Sequence, residues 1–523
     1  MLTLLSPAMI SLSTVFPYLF PTTIIIIAGI LGWQYWAKRK RYQSLKALPS
    51  PLGHSLLGNI PQVLAAVKKK QFFQLLFDWS KKYGSIYVYW ADTPVVILSK
   101  PSVIESTVIN GMRDGSLIRS QNATRAWNDI SGEILLGQSG AEWQWRRKAW
   151  NPEFSPVGIS AYIGVVEQAC SQITNKITAD VSSEALPVDR LFVELTMRVI
   201  ASLLLGIPVD SRVVSPEGAP LDVPKVYEAM SVLGYRFLRV ATSEKPWMKY
   251  LPTQSSRDYW AARRYIEQFL TPRVDLALQL RDQQVKDSSS ISPLFQESML
   301  VKIASKESRY TRETLIAEVI ELMIAGTDTT AHTLSFAVGE LAAHPEVFQK
   351  AQAIADQVWQ KHGTISIESL KELNYLRAIV KETLRLYSVA SGSTSLQAVK
   401  PTTIEGINIP VGTKIFWSML AAGRDAETYA QPDKFLPERW LEEGHGSTSL
   451  PMIDFGSGSH RCLGEHLAML EATIMLAQLL RNFDWELVNG RASLENLQQN
   501  LLIYPSDGMP LRFQLRKTSH FEV

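Results

Sequence analysis

The sequence predicts a mainly α-helical protein with small β-sheets, a single globular domain behind an N-terminal membrane anchor. Three observations carry this. Past residue 100 the apolar residues recur mostly at helical spacing, and one such stretch runs for roughly 33 residues, far longer than an average helix. Strand-like runs are few and short. The first charged residue of the chain is Lys38. A length of 523 residues would suggest about three domains, but no low-complexity linker divides the chain after residue 60, so one domain is expected.

The anchor is residues 1–37. Its most apolar part, Thr22 to Trp36, contains Ile24-Ile-Ile-Ile27 and is followed by Lys38-Arg-Lys-Arg41. A bilayer span needs about 20 apolar residues as helix, so the span takes in part of the stretch before Pro21. A cleaved signal has its positive charges before the apolar run, whereas here they follow it. That order predicts a retained anchor with the basic side, and the rest of the chain, in the cytosol. Residues 38–60 hold the basic cluster and Leu48-Pro-Ser-Pro-Leu-Gly53, a stiff elbow that cannot continue a helix.

Next, Ser85 to Trp90 and Pro94 to Ser99 flank Ala-Asp-Thr and read as a hairpin. Polar interruptions at Ser211 to Pro224, Arg281 to Pro293 and Glu442 to Ser449 read as loops between helices. The longest helix is expected from an N-cap at Thr311, with Glu313 in its first turn, to about His344, where Pro345 stops it. At 1.5 Å per residue it spans about 50 Å and must cross the core. Its middle, Ala325-Gly-Thr-Asp-Thr-Thr330, is poor helix sequence and is expected to be distorted.

Charged residues at 20% and apolar residues at 46% are those of a globular protein, and a net charge of +3 gives no reason to expect nucleic acid. Two cysteines, Cys170 and Cys462, exclude a disulfide framework. Cys170 lies in a helical stretch and reads as a buried small hydrophobe. Cys462 lies in Phe455-Gly-Ser-Gly-Ser-His-Arg-Cys-Leu-Gly464. Gly456, Gly458 and Gly464 permit a tight loop against a flat cofactor, and the residues from Leu463 onward read as a helix whose N-terminus favours a thiolate. On spacing alone, a buried cysteine in a Gly-Ser loop fits as well as an iron ligand does.

The segment resembles the haem-binding signature of the cytochrome P-450 family, F-x-x-G-x-R/H-x-C-x-G, with Phe455, Gly458, His460, Cys462 and Gly464 in place. Further family motifs follow the expected order. Trp143-Gln-Trp-Arg-Arg147 resembles W-x-x-x-R, Ala325 to Thr330 resembles A/G-G-x-D/E-T-T/S, Glu382-Thr-Leu-Arg385 resembles E-x-x-R, and Pro437-Glu-Arg-Trp440 resembles P-E-R-F/W. With the anchor, the basic cluster and the elbow, the resemblance covers the whole chain and is to membrane-anchored, eukaryotic-type members.

The resemblance implies that residues 61–523 form a haem-thiolate catalytic domain with haem b on Cys462. The cysteine loop, with Phe455, Gly456, Gly458 and Gly464, would cradle the cofactor, and Trp143, Arg147 and His460 would hold its propionates. Glu382, Arg385 and Arg439 would form a structural network, and Asp328 and Thr329 would deliver protons during oxygen activation. It also implies a monooxygenase acting on a lipophilic small molecule with O2, in secondary or lipid metabolism. Electrons would come from NADPH through a separate flavoprotein reductase, since no flavin module follows the haem domain. The expected location is a membrane, the endoplasmic reticulum in a eukaryote, with lipid around the anchor. A haem-thiolate isomerase or dehydratase, and a non-catalytic haem sensor, remain the alternatives; the Asp328–Thr329 pair favours oxygen activation. Many members carry a propionate-binding arginine after the E-x-x-R helix, and Ser393 to Ala398 has no basic residue. Arg146 and Lys148 are the expected reductase-docking residues. Trp127, Met230, Leu233, Tyr235, Phe237, Met323, Leu501 and Ile503 are expected on the wall of a large apolar pocket.

Overall fold

The short apolar runs on both sides of Ala91-Asp92-Thr93 do form a hairpin: β1 (Ile86–Trp90) pairs antiparallel with β2 (Pro94–Leu98), Ile86 opposite Leu98 and Trp90 opposite Pro94. The computed structural model describes residue 37 and residues 40–516, apart from residues 56, 182–183, 211–213, 243, 285–288, 391–394 and 442–449. The hairpin extends into a five-stranded sheet with β3 (Leu117–Arg119), β4 (Leu396–Ala398) and β5 (Lys414–Trp417), in the order β1-β2-β5-β4-β3. The β2–β5 pair is parallel and the other pairs are antiparallel. Strands distant in sequence are thereby drawn to one edge, where β3 and β4 lie side by side.

Most of the rest is helical. The elements that build the site are α1 (Gly140–Trp150), α2 (Val188–Leu205), α3 (Val223–Thr242), α4 (Arg312–Ala343), α5 (Asn374–Tyr387) and α6 (Glu465–Asn482). The long helix starts at its expected N-cap, where the Thr311 hydroxyl accepts from the Thr314 N–H at 3.3 Å and Thr314 returns a bond to the Thr311 N–H at 2.8 Å. Such a cap is worth about 1 kcal/mol. The helix ends at Ala343, with His344 as its C-cap before Pro345.

The expected distortion in the middle of α4 is absent: the helix is α-helical throughout. The hydroxyls that could compete with the helix bond back along it instead, Thr327 to the Met323 carbonyl, Thr329 to Ala325 and Thr333 to Thr329, each at 2.7 Å. Gly326 has a packing reason. A Cβ there would stand 3.0 Å from Ile200 of α2, so glycine lets the two helices approach. The Thr196 hydroxyl of α2 then reaches the Thr327 carbonyl at 2.9 Å.

Two cores result. The larger joins α2, α4, α5 and α6, with Phe336, Leu334, Ile200 and Leu476 almost fully buried. Cys170 is buried in it as expected, and burial pushes its thiol up. The smaller lies under the sheet and includes Tyr42, Leu45 and Leu48, so the segment around the elbow packs on the same body as the sheet. The expected anchor (except Ala37), Lys38 and Arg39 of the basic cluster, the start of the Ser393 to Ala398 stretch and the expected loop Glu442 to Ser449 fall outside the described residues. Among the described residues no helix is long and apolar enough to cross a membrane.

Candidate active site

The Cys462 loop enters α6 at its N-terminus, two residues later than the sequence suggested: Gly464 is the N-cap and the helix begins at Glu465. The Cys462 N–H donates to the Phe455 carbonyl at 2.6 Å, closing the loop. Gly456 and Gly458 take φ of +75° and +63°, in the left-handed region where a side chain is strained. Gly464 has an ordinary φ of −86°, and a Cβ there would meet nothing within 4 Å. Its glycine is therefore not required by the backbone, and it faces the open space beside the sulfur.

Cys462 is deep in the molecule but accessible from an interior cavity that the loop lines together with Phe455, Gly456, His460, Arg461 and Gly464. Burial pushes the thiol up, although the Gly464 N–H bonds to the sulfur and lowers it. The helix N-terminus alone does not outweigh desolvation. A metal cation at the sulfur would reverse the sign, because a coordinated thiol is deprotonated outright.

Beside the loop is a basic clamp. The Trp143 ring of α1 stacks on His460 with centroids 3.7 Å apart and planes 22° from parallel. Burial first, then the charges of Arg119 and Arg147, push the His460 imidazole down to about 3, so it is neutral, and its Nδ1 has no partner among the described residues. Burial also lowers Arg147 and takes Arg119 down to about 10. The Nε of Arg119 is buried without a hydrogen-bond partner. Crowded buried cations with open hydrogen-bonding positions fit the carboxylates of a bound cofactor. Arg119 was missed by sequence reasoning. Its partner across the β3–β4 ladder is Leu396, in the strand that lacks the expected arginine, and both residues line the cavity. A lone arginine in a three-residue strand has no periodic signal to mark it.

Across the cavity runs α4, with Ala325, Gly326, Thr329 and Thr330 on the wall. Asp328 is off this wall and turned toward α2 and α3, where it interacts with His332, Asp189 and Tyr227. Burial raises its carboxyl above the ordinary range, and one oxygen has no partner among the described residues. Three other carboxyls do line the cavity, Glu321, Asp454 and Glu471, and Glu321 accepts at Oε1 from the Leu136 N–H at 2.8 Å. Burial, then the neighbouring Glu318, pushes Glu321 well up.

Of the expected apolar wall residues, Trp127 and Leu501 line the cavity, while Met230, Leu233, Tyr235, Phe237, Met323 and Ile503 do not. Met230, Leu233 and Phe237 are buried in the core instead, Phe237 lying behind Trp127 with ring centroids 4.3 Å apart, and Tyr235 is half-exposed. Arg146 is corrected as well. It is 2% exposed and bonded to the buried Glu318 at 2.7 Å, so it cannot present charge to a docking partner.

The third expected group comes together beside the cysteine loop. Arg385 grips Glu382 through Nε at 2.9 Å and Nη2 at 2.8 Å, and Arg439 reaches the same carboxylate at 3.0 Å. The Trp440 indole N–H and the Leu436 N–H complete its shell at 2.9 and 2.8 Å. The remaining guanidinium N–H groups go to carbonyls, Arg385 to Gly423, Pro432 and Lys434 and Arg439 to Ala430. A buried ion network is tolerable only when it is this fully satisfied.

A cysteine accessible from an interior cavity, a basic and aromatic clamp at the cavity's side and a long helix across it define a protein that holds a flat anionic cofactor. The comparisons agree. The cytochrome P450 family model matches residues 48–512. Cytochrome P450 cyp-13B1 of Caenorhabditis elegans is 27% identical over 488 residues, 88% of this chain and 92% of that protein. Pluviatolide synthase of Podophyllum peltatum is 24% identical over 476 residues, 89% and 91%. Tryptamine 5-hydroxylase of rice (Oryza sativa subsp. japonica) is 34% identical over 219 residues, 40% and 42%. The chain belongs to the cytochrome P450 family. It is accordingly a haem-dependent monooxygenase with a cysteine thiolate as axial ligand.

Proposed function

We propose that the protein oxidises a lipophilic small molecule, by hydroxylation or a related oxygen insertion in secondary or lipid metabolism, with Cys462 as the thiolate ligand. The observation that carries this is Cys462 open to a mostly apolar cavity that Thr329 also lines. Haem bound there supplies the oxygen-activating redox chemistry, and the protein supplies the surroundings. Cys462 donates electron density to the metal. Arg119, Arg147, Trp143 and His460 hold the propionates, Arg119 standing in for the arginine missing after α5. Phe455, Gly456 and Gly458 give the loop its shape, and Gly464 keeps the space beside the sulfur open for the cofactor. Trp127, Leu322, Ala325, Val389 and Leu501 bind the substrate's apolar body and exclude water. The Thr329 hydroxyl, on the wall, positions a proton that Asp328 provides from behind. Glu382, Arg385 and Arg439 hold the loop in place.

Electrons come from NADPH through a separate flavoprotein reductase, and the uncharged N-terminal stretch anchors the chain in the membrane, with the catalytic domain cytosolic. Hydroxylation as the reaction class is supported by the name of the rice relative, tryptamine 5-hydroxylase. The test is the red-shifted Soret band that thiolate ligation gives the reduced carbon-monoxide complex. It should be present in the full-length protein and lost in Cys462→Ala. A band that survives the substitution sinks the assignment.

A further inference from the structure

On the side of the cavity formed by α4, Glu321 is the one ionisable side chain among the described residues. Its Oε1 accepts from the Leu136 N–H, and its Oε2 is buried without a partner among the described residues. The cations near it are engaged elsewhere. Arg146 of α1 is bonded to Glu318 at 2.7 Å, and Arg119 of β3 stands with Arg147 and His460 in the clamp for the cofactor's carboxylates. The other cavity carboxyls are placed differently: Asp454 accepts from the Ser388 hydroxyl at 2.7 Å, and Glu471 lies on α6, the helix that leaves the cysteine loop. Glu321 also has aromatic company. Trp127 lines the same cavity and belongs to a small apolar cluster with Ala317, one turn before Glu321 on α4. Leu136, whose N–H holds the carboxyl, packs against that cluster. A carboxylate and an indole ring on neighbouring parts of one apolar wall recognise a lipophilic cation, the first by its charge and the second by the negative face of the ring. A hydroxyl group could also fill the open oxygen, but it would gain nothing from the ring.

We propose that Glu321 selects the substrate, and that the substrate is a lipophilic cation whose apolar body fills the cavity and whose charged nitrogen pairs with this carboxylate beside Trp127. This rests on the reading of the cavity as the place where a lipophilic molecule is oxidised. The groups facing Glu321 are Glu318 on its own helix, Arg119 from β3, Arg146 from α1 and Tyr310 just before α4. Arg146 is neutralised by Glu318, and Arg119 does not repel the ligand once the cofactor's carboxylates pair with it. Burial, then Glu318, raises the Glu321 carboxyl, so the empty cavity favours its neutral form, whereas a cation favours the ionised one. Binding of a permanent cation therefore releases one proton to solvent, and no bond or electron is exchanged.

The test uses two probes on the full-length haem-loaded protein. One is trimethyl(phenylbutyl)ammonium, a permanent cation with no lone pair for the iron. The other is its uncharged carbon isostere, with a tert-butyl group in place of trimethylammonium. Binding of each is read, against pH, from the spin-state change as water leaves the ferric iron. In wild type the cation's affinity should rise with pH, by up to about tenfold per unit, until Glu321 is ionised, and the isostere's should not change. Glu321→Gln keeps an oxygen for the Leu136 N–H and removes the charge. It should weaken the cation by at least about 10-fold at the upper end of the pH range, abolish the pH dependence and leave the isostere unaffected. Glu321→Asp should restore the pH dependence. A pH-independent affinity for the cation in wild type, or no shift with the cation at any pH, overturns the proposal whether or not the variants fold. Equal weakening of both probes in Glu321→Gln means that the carboxyl only holds Leu136 and the shape of the wall, and also overturns it. Absence of the red-shifted Soret band in wild type would instead refute the haem-thiolate reading.

Discussion

At the scale of single residues, Arg119 sets how firmly the cofactor is held. It sits 9% exposed with an unpartnered Nε beside two other basic groups, a state that an anion relieves. A charge-assisted hydrogen bond is worth about 1.5–3 kcal/mol, so Arg119→Gln should weaken haem retention by roughly 10- to 100-fold. Haem transfer to an excess of a second haem-binding protein measures it; transfer at the wild-type rate would exclude Arg119 from the propionates. Thr329 makes a different demand. Its hydroxyl bonds to the Ala325 carbonyl, an interaction the helix does not need, so Thr329→Ala should leave haem binding unchanged. The same variant should release more hydrogen peroxide per NADPH consumed. Unchanged coupling would remove Thr329 from proton delivery.

At the scale of elements, the contact between α2 and α4 turns on Gly326. Alanine there gains about 1 kcal/mol of helix propensity but drives a Cβ to 3.0 Å from Ile200, which is 1% exposed and cannot move aside. Overpacking of this kind costs about 1–3 kcal/mol, so Gly326→Ala should be destabilising by up to about 2 kcal/mol in denaturant unfolding. A double-mutant cycle with Ile200→Val should show favourable coupling. The joint between α5 and the Pro437–Trp440 turn is ionic instead. Arg439→Leu leaves Glu382 buried with part of its shell gone, and should cost about 3 kcal/mol or more, read as a lower melting temperature. Replacing this network by apolar residues of similar volume would be the milder change, since the penalty comes from the orphaned carboxylate.

At the scale of the whole molecule, several carboxyls buried near the site make stability depend on pH. Burial raises Asp454 from 3.8 to about 6, although the Ser388 hydroxyl bonded to it at 2.7 Å works against the shift. A raised folded value means that the folded state holds its proton longer than the unfolded chain. The contribution is complete below 3.8 and is lost as pH rises through about 6. Glu318, Glu321 and Glu471 are displaced in the same direction, chiefly by burial. The melting temperature should therefore fall as pH rises over this interval, and less steeply in Asp454→Asn. A rise in wild type would mean that the site admits enough water to ionise these groups freely.

The hairpin, the ends of α4 and the network of Glu382, Arg385 and Arg439 were legible in the sequence because each is written locally, in short apolar runs about a turn, in capping residues or in a motif with fixed spacing. Cys462 with Phe455, Gly458, His460 and Gly464 was legible for the same reason. The position of Asp328 behind the cavity wall, the burial of Arg146 and the absence of Met230, Leu233 and Phe237 from that wall were not. Helical periodicity says which residues share a face but not which neighbour covers it. Arg119 is the clearest case. It becomes part of the site only because β3 pairs with β4 across a separation of more than 270 residues, and a β-ladder register at that distance is set by how the whole chain packs.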